Sequence, residues 1–120
     1  MKSTLLSIVS DEHAASLRVA FPPRVLSTNV ERLRAEMEEF LQSVDAKTHK
    51  WQHLELDFKK TEFVDSIGLN FIFELVKTAE VDGIDIVAWV VSRAVRLTFY
   101  TVRLDKRMDI RLVDAQATKQ

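Results

Sequence analysis

Two hydrophobic periods alternate along the second half of this chain, and that alternation limits the fold more than any other feature. His53 to Phe58 repeats every second residue, with Leu54, Leu56 and Phe58 set against Glu55 and Asp57, which is strand spacing. From about Ser66 to Glu80 the apolar residues Ile72, Leu75, Val76 and Ala79 recur at helical steps, with Gly68 one turn earlier. Asp82-Gly83 makes a turn. Ile84 to Val91 is nearly all apolar and β-branched, the composition of a strand buried on both faces. Ser92 can cap a third helix through Val102, and Ile110 to Val113 reads as a last short strand. Strands that alternate with helices pair in parallel through right-handed crossovers.

The first half is read the same way. Thr4 to Val9 is apolar enough for a strand. Ser16 to Phe21 alternates, with Leu17, Val19 and Phe21 on one side, and Pro22-Pro23 stops it. Val30, Leu33, Met37, Phe40, Leu41 and Val44 form the apolar stripe of a first helix. Thr28 and Glu31 are spaced as a capping box at its start, and the charges between Glu31 and Glu39 are its solvated face. A polar turn at Lys59-Lys60-Thr61 leads to Phe63-Val64. The order is β-β-α-β-α-β-α-β, with the opening strands antiparallel. No Pro-rich or Gly/Ser linker divides the 120 residues, so residues 1–113 are expected to form one domain, with a frayed polar tail at 114–120.

Composition excludes several functions. Hydrophobic residues at 47% and a net charge of −1 describe a packed domain, neither a disordered chain nor a general nucleic-acid binder. Cysteine is absent, which removes disulfides, Cys-based zinc sites and cysteine nucleophiles. The longest apolar run, Ile86 to Val91, is far short of the ~20 residues of a membrane-spanning helix. The first ten residues have a broken apolar stretch that soon meets Asp11 and Glu12, unlike a signal peptide; a soluble cytoplasmic protein is expected. Gly68 and Gly83 are the only glycines, so there is no phosphate-cradling loop, and no cofactor is expected.

Ser66 and Gly68 match the second half of a nucleophile elbow, but Val64 stands where the first glycine belongs. His13, His49 and His53 are the available bases, and nothing in the sequence places one beside Ser66. His49 and His53 lie four apart but lead into a strand without a third ligand, so no metal site is expected. Trp51 and Trp89 read as packing residues. Ser92 to Arg111 holds six basic residues and two acids. This local charge of +4 suits a solvated helix face or, alternatively, a docking patch for an acidic partner.

An open α/β domain gathers its ligands and partners at the carboxyl ends of its strands. Here that points to the turn from Phe63 to Gly68. Asp65 or Ser66 serves as a helix N-cap, and Gly68 lets the first turn approach a neighbouring strand. A serine at that position is also a suitable phosphate acceptor, because free amides and the helix dipole favour an anion. The added charge of about −1.5 to −2 would transform the exposed surface and repel a docked partner.

Leu54-Glu55-Leu56-Asp57-Phe58, then Phe63-Val64-Asp65-Ser66-Ile67-Gly68-Leu69, resemble the STAS family, the domain of anti-sigma factor antagonists and sulphate-transporter tails. A second block agrees: Val91-Ser92, Val95-Arg96 and Leu104-Asp105-Lys106. The resemblance covers about Leu17 to Val113. It implies an α/β, STAS-type fold: a mostly parallel sheet of about four to five strands, an antiparallel edge, and three to four packed helices. It also implies a bacterial, non-catalytic phosphoswitch. Ser66 would be phosphorylated by an anti-sigma factor or related ATP-binding serine kinase. The unphosphorylated form would bind that partner and free a sigma factor, and a PP2C-type phosphatase would reset the switch. Asp65, Ser66, Ile67, Gly68, Leu69 and Phe71 would form the partner-binding site. An alternative within the family is a cytoplasmic subunit of a lipid-transporting ABC system.

The chain departs from the family pattern at several positions. Ile67 replaces a second serine, and Pro22-Pro23-Arg24-Val25-Leu26-Ser27 replaces a Gly-x-Leu-Asp stretch. Phe71 and Phe73 are bulky; either one is exposed beside Ser66 as a contact hot spot, or both pack inward. Arg103 stands where a glycine often follows the third helix. A retained left-handed cap there would cost on the order of 1 kcal/mol, unless the helix ends differently.

Overall fold

The alternation of Leu54, Leu56 and Phe58 becomes the central strand of a five-stranded sheet. A computed structural model describes residues 4–43 and 50–113. In chain order the elements are β1 (Ser7–Asp11), β2 (Ser16–Ala20), β3 (Arg24–Val25) and α1 (Val30–Leu41). Then come β4 (His53–Phe58), β5 (Phe63–Val64), α2 (Ser66–Val81), β6 (Asp85–Val90) and α3 (Arg93–Thr101). A single 3-10 turn (Leu104–Lys106) precedes β7 (Asp109–Leu112). The sheet order is β1-β2-β4-β6-β7. β1 is antiparallel to β2, and the other neighbours are parallel. This is the α/β architecture expected, a mostly parallel sheet with an antiparallel edge.

Register explains the core. Leu17 pairs with Leu54 and Leu54 with Ile86; Val19 pairs with Leu56 and Leu56 with Ala88. All of these side chains are buried, and they meet Val30, Leu33 and Met37 of α1, Phe71, Ile72, Val76 and Ala79 of α2, and Val95 and Phe99 of α3. Phe58 stacks on Phe21 at 4.4 Å and meets Phe99 edge-on at 5.1 Å, geometries that add to simple burial. The opposite sheet face carries Arg18, Glu55, Val87 and Asp109 in one row and Ala20, Asp57, Trp89 and Arg111 in the next. Those residues are half-buried or exposed.

β6 therefore departs from the expectation of burial on both faces: Ile86, Ala88 and Val90 are buried, while Val87 and Trp89 are half-buried. The helices of the described residues cover one face. Trp89 lies across the other, donating from Nε1 to Glu55 Oε1 at 3.1 Å beneath the Arg111 guanidinium.

Three local expectations are corrected. The first strand begins at Ser7, not Thr4, because the amides of Leu5 and Leu6 donate to the Glu36 carboxylate of α1 at 2.8–3.0 Å; Leu6 is buried as a core residue ahead of the strand. α1 has no Thr28–Glu31 capping box. Its N-cap is Asn29, which makes no side-chain cap bond. Asn29 instead accepts from the Leu26 amide at 2.9 Å and donates to the Arg24 carbonyl at 2.8 Å, closing the loop before the helix. Within the α1 stripe Val30, Leu33 and Met37 are buried, Phe40 is half-buried and Leu41 is exposed. Val44, His49 and the polar tail 114–120 lie outside the described residues.

α3 begins as its sequence predicts, with Ser92 Oγ accepting from the Val95 amide at 3.3 Å. Arg103 keeps the left-handed conformation, with φ 65°, so the arginine bears the conformational cost that a glycine avoids. No helix among the described residues is long and apolar enough to cross a membrane.

Candidate functional site

The site is assembled by two strands too short to show a period. Pro22-Pro23 ends β2, and β3 then pairs in parallel with β5, Arg24 with Phe63 and Val25 with Val64. Thr61, buried in the turn between β4 and β5, donates from Oγ1 to the Pro22 carbonyl at 2.9 Å. This small sheet sets the start of α2 against the loop that leads into α1.

Asp65 joins the two. Its backbone is extended, with φ −93° and ψ −179°, and it is the N-cap of α2. Oδ1 accepts from the Gly68 amide at 2.7 Å and Oδ2 from the Ser27 amide at 2.7 Å. These bonds favour the carboxylate, and hold its pKa below the ordinary value of 3.8, the Gly68 amide contributing most and the Ser27 amide next. Between Asp65 and Ser66 as the cap, the structure selects Asp65.

Gly68 is required by close approach. A Cβ built on it would lie 1.9 Å from the Val25 carbonyl oxygen and 2.6 Å from its carbon. The expectation that this glycine lets the first turn sit against a strand holds, and the strand is β3.

The remaining candidates divide between surface and core. Ser66 is exposed at the first helical position, and Ile67 beside it is 52% exposed. Leu69 is half-buried, and its amide donates to the Asp65 carbonyl at 2.8 Å. Phe71 does not belong to the surface. It is only 2% exposed, packed in the core beneath the Arg34 guanidinium at 5.4 Å, so its place among partner contacts is corrected. Phe73 is half-buried against the same core. The reading in which an aromatic of α2 is exposed beside Ser66 gives way to inward packing.

The exposed aromatic of this region is Phe63, 54% exposed with the Arg24 guanidinium 5.6 Å from its ring centre. The sequence marks the turn from Phe63 to Gly68 and the Pro22 to Ser27 stretch, but gives Phe63, Arg24 and Ser27 no individual role, because the two-residue strands that bring them together show no period.

The two described histidines, His13 and His53, lie elsewhere. His53 opens β4, with Nδ1 3.5 Å from Asp85, and His13 lies in the β1–β2 turn, whereas Ser66 follows the end of β4 and β5. The basic stretch after Ser92 is partly engaged: Arg107 pairs with Glu80 at 2.7 Å and Arg111 with Asp109 at 3.0 Å.

A family model of the STAS domain matches residues 14–117. The chain belongs to the STAS domain family. Eight solved chains are similar to it. Among them is a serine-to-glutamate variant of RsbS from Moorella thermoacetica, with a TM-score of 0.65 and 20% identity over 90% of this chain and 86% of that one. No curated protein matches. In this STAS domain the Asp65-Ser66-Ile67-Gly68 motif is thus a cap, an exposed hydroxyl, an exposed apolar side chain and a close-approach glycine, in that order.

Proposed function

We propose that this STAS domain is a non-catalytic phosphoswitch of the anti-sigma factor antagonist type, acting in bacterial transcription regulation from the cytoplasm. Its unphosphorylated form binds an anti-sigma factor or related ATP-binding serine kinase. That kinase phosphorylates Ser66, the complex dissociates, and a PP2C-type phosphatase restores the binding form. The observation that carries this reading is the exposure of Ser66 at the first position of α2, directly after the capped carboxylate of Asp65.

The geometry supports the chemistry in two ways. A phosphate at the first helical position lies where the helix dipole is favourable to an anion, so modification leaves the fold in place. Asp65 accepts from the Ser27 and Gly68 amides, so its carboxylate is held by the main chain. The phosphate therefore acts on the surface: about two negative charges appear beside Ile67, and an apolar or acidic partner face is repelled and left desolvated. The contact surface comprises Ser66 and Ile67 at its centre, with Leu69 beside them, and Phe63 and Arg24 alongside. Asp65 and Gly68 shape it from below.

The test is a paired capture from the protein's own cells with the wild-type chain and Ser66→Glu as baits. A small ATP-binding kinase retained by the wild type and lost with Ser66→Glu supports the switch. Permease and ATPase subunits retained equally by both baits would instead assign the domain to a lipid-transporting ABC assembly, with Ser66 outside the contact.

A further inference from the structure

Most arginines of this chain are used inside the fold. Arg18, Arg32, Arg34, Arg107 and Arg111 are each paired to a carboxylate. Arg93, Arg96 and Arg103 are not. Among the described residues they make no ion pair and no side-chain hydrogen bond. The local sequence offers them no partner, because no acid lies between Ser92 and Leu104.

These cations share a helix face with two exposed apolar side chains. Arg93, Arg96, Leu97 and Tyr100 recur at steps of three and four along α3, which places them in one stripe. Leu97 is 55% exposed and Tyr100 42%, while Val95 and Phe99 are buried on the opposite side. Arg103 is exposed where the helix ends in the left-handed conformation. The threonines of α3 keep their hydroxyls within the helix: Thr98 donates to the Ala94 carbonyl at 3.0 Å and Thr101 to the Leu97 carbonyl at 2.7 Å. α3 packs against β5, so the stripe adjoins the strand that carries the exposed Phe63.

We propose that this stripe of α3 is the docking face for an acidic amphipathic helix of a protein partner. Charge complementarity selects the occupant. Unpaired guanidinium groups beside apolar side chains at helical spacing are matched by a second helix of the same spacing, with carboxylates flanking its apolar residues. Seating that helix covers Leu97 and Tyr100 and gives each guanidinium the acceptor that the fold does not supply. A lipid surface suits the stripe less well. Interfacial helices bury a continuous apolar face, and Val95 and Phe99, which would form one, are already in the core. Arginine and tyrosine without lysine along α3 is the composition of protein contacts. This docking face stands apart from the role of Ser66.

The probe is a synthetic helical peptide of about 14 residues, with leucines at i, i+3 and i+7 flanked by glutamates and a fluorescein label. In a control peptide lysines replace the glutamates. Fluorescence anisotropy follows their titration with the full-length chain. The wild type is expected to bind the acidic peptide at least ~10-fold more tightly than the control, with affinity falling as salt rises. Arg93→Glu and Leu97→Ser should each weaken binding at least ~5-fold. Both positions are exposed, and a glutamate at the first position of α3 suits the helix dipole, so the fold persists; far-ultraviolet circular dichroism checks it. Lys77→Glu, the same charge reversal on the exposed face of α2, should stay within about 2-fold of wild type. Absent binding of the acidic peptide, equal binding of the two peptides, or a Lys77→Glu loss as large as that of Arg93→Glu would each overturn the proposal. So would tighter binding of the wild type to phosphatidylglycerol vesicles or to an oligothymidylate than to the acidic peptide.

Discussion

The Asp65 carboxylate binds the main-chain amide of Ser27 at 2.7 Å, across 38 residues of sequence. With its second oxygen on the Gly68 amide, one side chain ties the loop before α1 to the first turn of α2. The surface around Ser66 is therefore a built platform in which two loops are fixed by a shared acceptor.

That arrangement predicts a pH dependence. The native pKa of Asp65 is depressed by its amide bonds, so its contribution is complete above the unfolded value near 3.8 and is lost as pH falls through the lower native value. Asp65→Asn keeps one acceptor and turns an N–H toward the second amide. It should unfold at a lower temperature than wild type at pH 7, and the gap should close as the pH is taken below about 3.8. Thermal unfolding followed by circular dichroism from pH 2 to 7 checks this; a gap that does not change with pH would contradict the assigned bonds.

Gly68→Ala places a methyl 1.9 Å from the Val25 carbonyl oxygen. That neighbour is backbone of the β3–β5 pair and cannot rotate aside. The expected loss is about 3 kcal/mol in urea unfolding, at the upper end of overpacking costs. A loss under 0.5 kcal/mol would mean that α2 starts farther from β3 than described.

Much of this architecture is legible in the sequence. β4, α2 and α3 follow from period and capping, and β6 from its apolar, β-branched run, although only one of its faces is fully buried. The Asp65–Ser27 bond is not, because its partners are distant in sequence and the strands that align them have two residues each. β1 was misplaced for a related reason. Leu5 and Leu6 are apolar as in a strand, but their amides are satisfied by Glu36, and a side chain from a later helix leaves no trace in local pattern. Phe71 was ambiguous because the α2 stripe is wider than period alone defines, extending to a residue packed beneath Arg34.

Phe71 and Ile67 separate core from surface in a single experiment. Phe71→Ala should cost about 3–5 kcal/mol of stability, as large aromatic truncations in cores do. Ile67→Ala should change stability by less than about 0.5 kcal/mol and weaken partner binding several-fold. Equal destabilisation by the two would contradict the burial described for them.

Arg103→Gly should stabilise the protein. Relief of the left-handed strain gains about 1–2 kcal/mol, and the freer unfolded chain returns about 0.4–1 kcal/mol. The net expectation is an increase of about 0.5–1 kcal/mol in urea unfolding. Destabilisation would show that the arginine side chain makes contacts outweighing its backbone strain.

The central claim is that charge at Ser66 alone switches partner binding. The most direct measurement is the affinity of the captured kinase for purified wild type, Ser66→Ala and Ser66→Glu, with near-ultraviolet circular dichroism confirming the same fold in each. The account predicts that Ser66→Ala binds like wild type and that Ser66→Glu binds at least ~10-fold more weakly, the scale of a like-charge or desolvation penalty in an interface. Equal affinity for all three would contradict it and leave Ser66 as the first residue of a helix whose cap is Asp65.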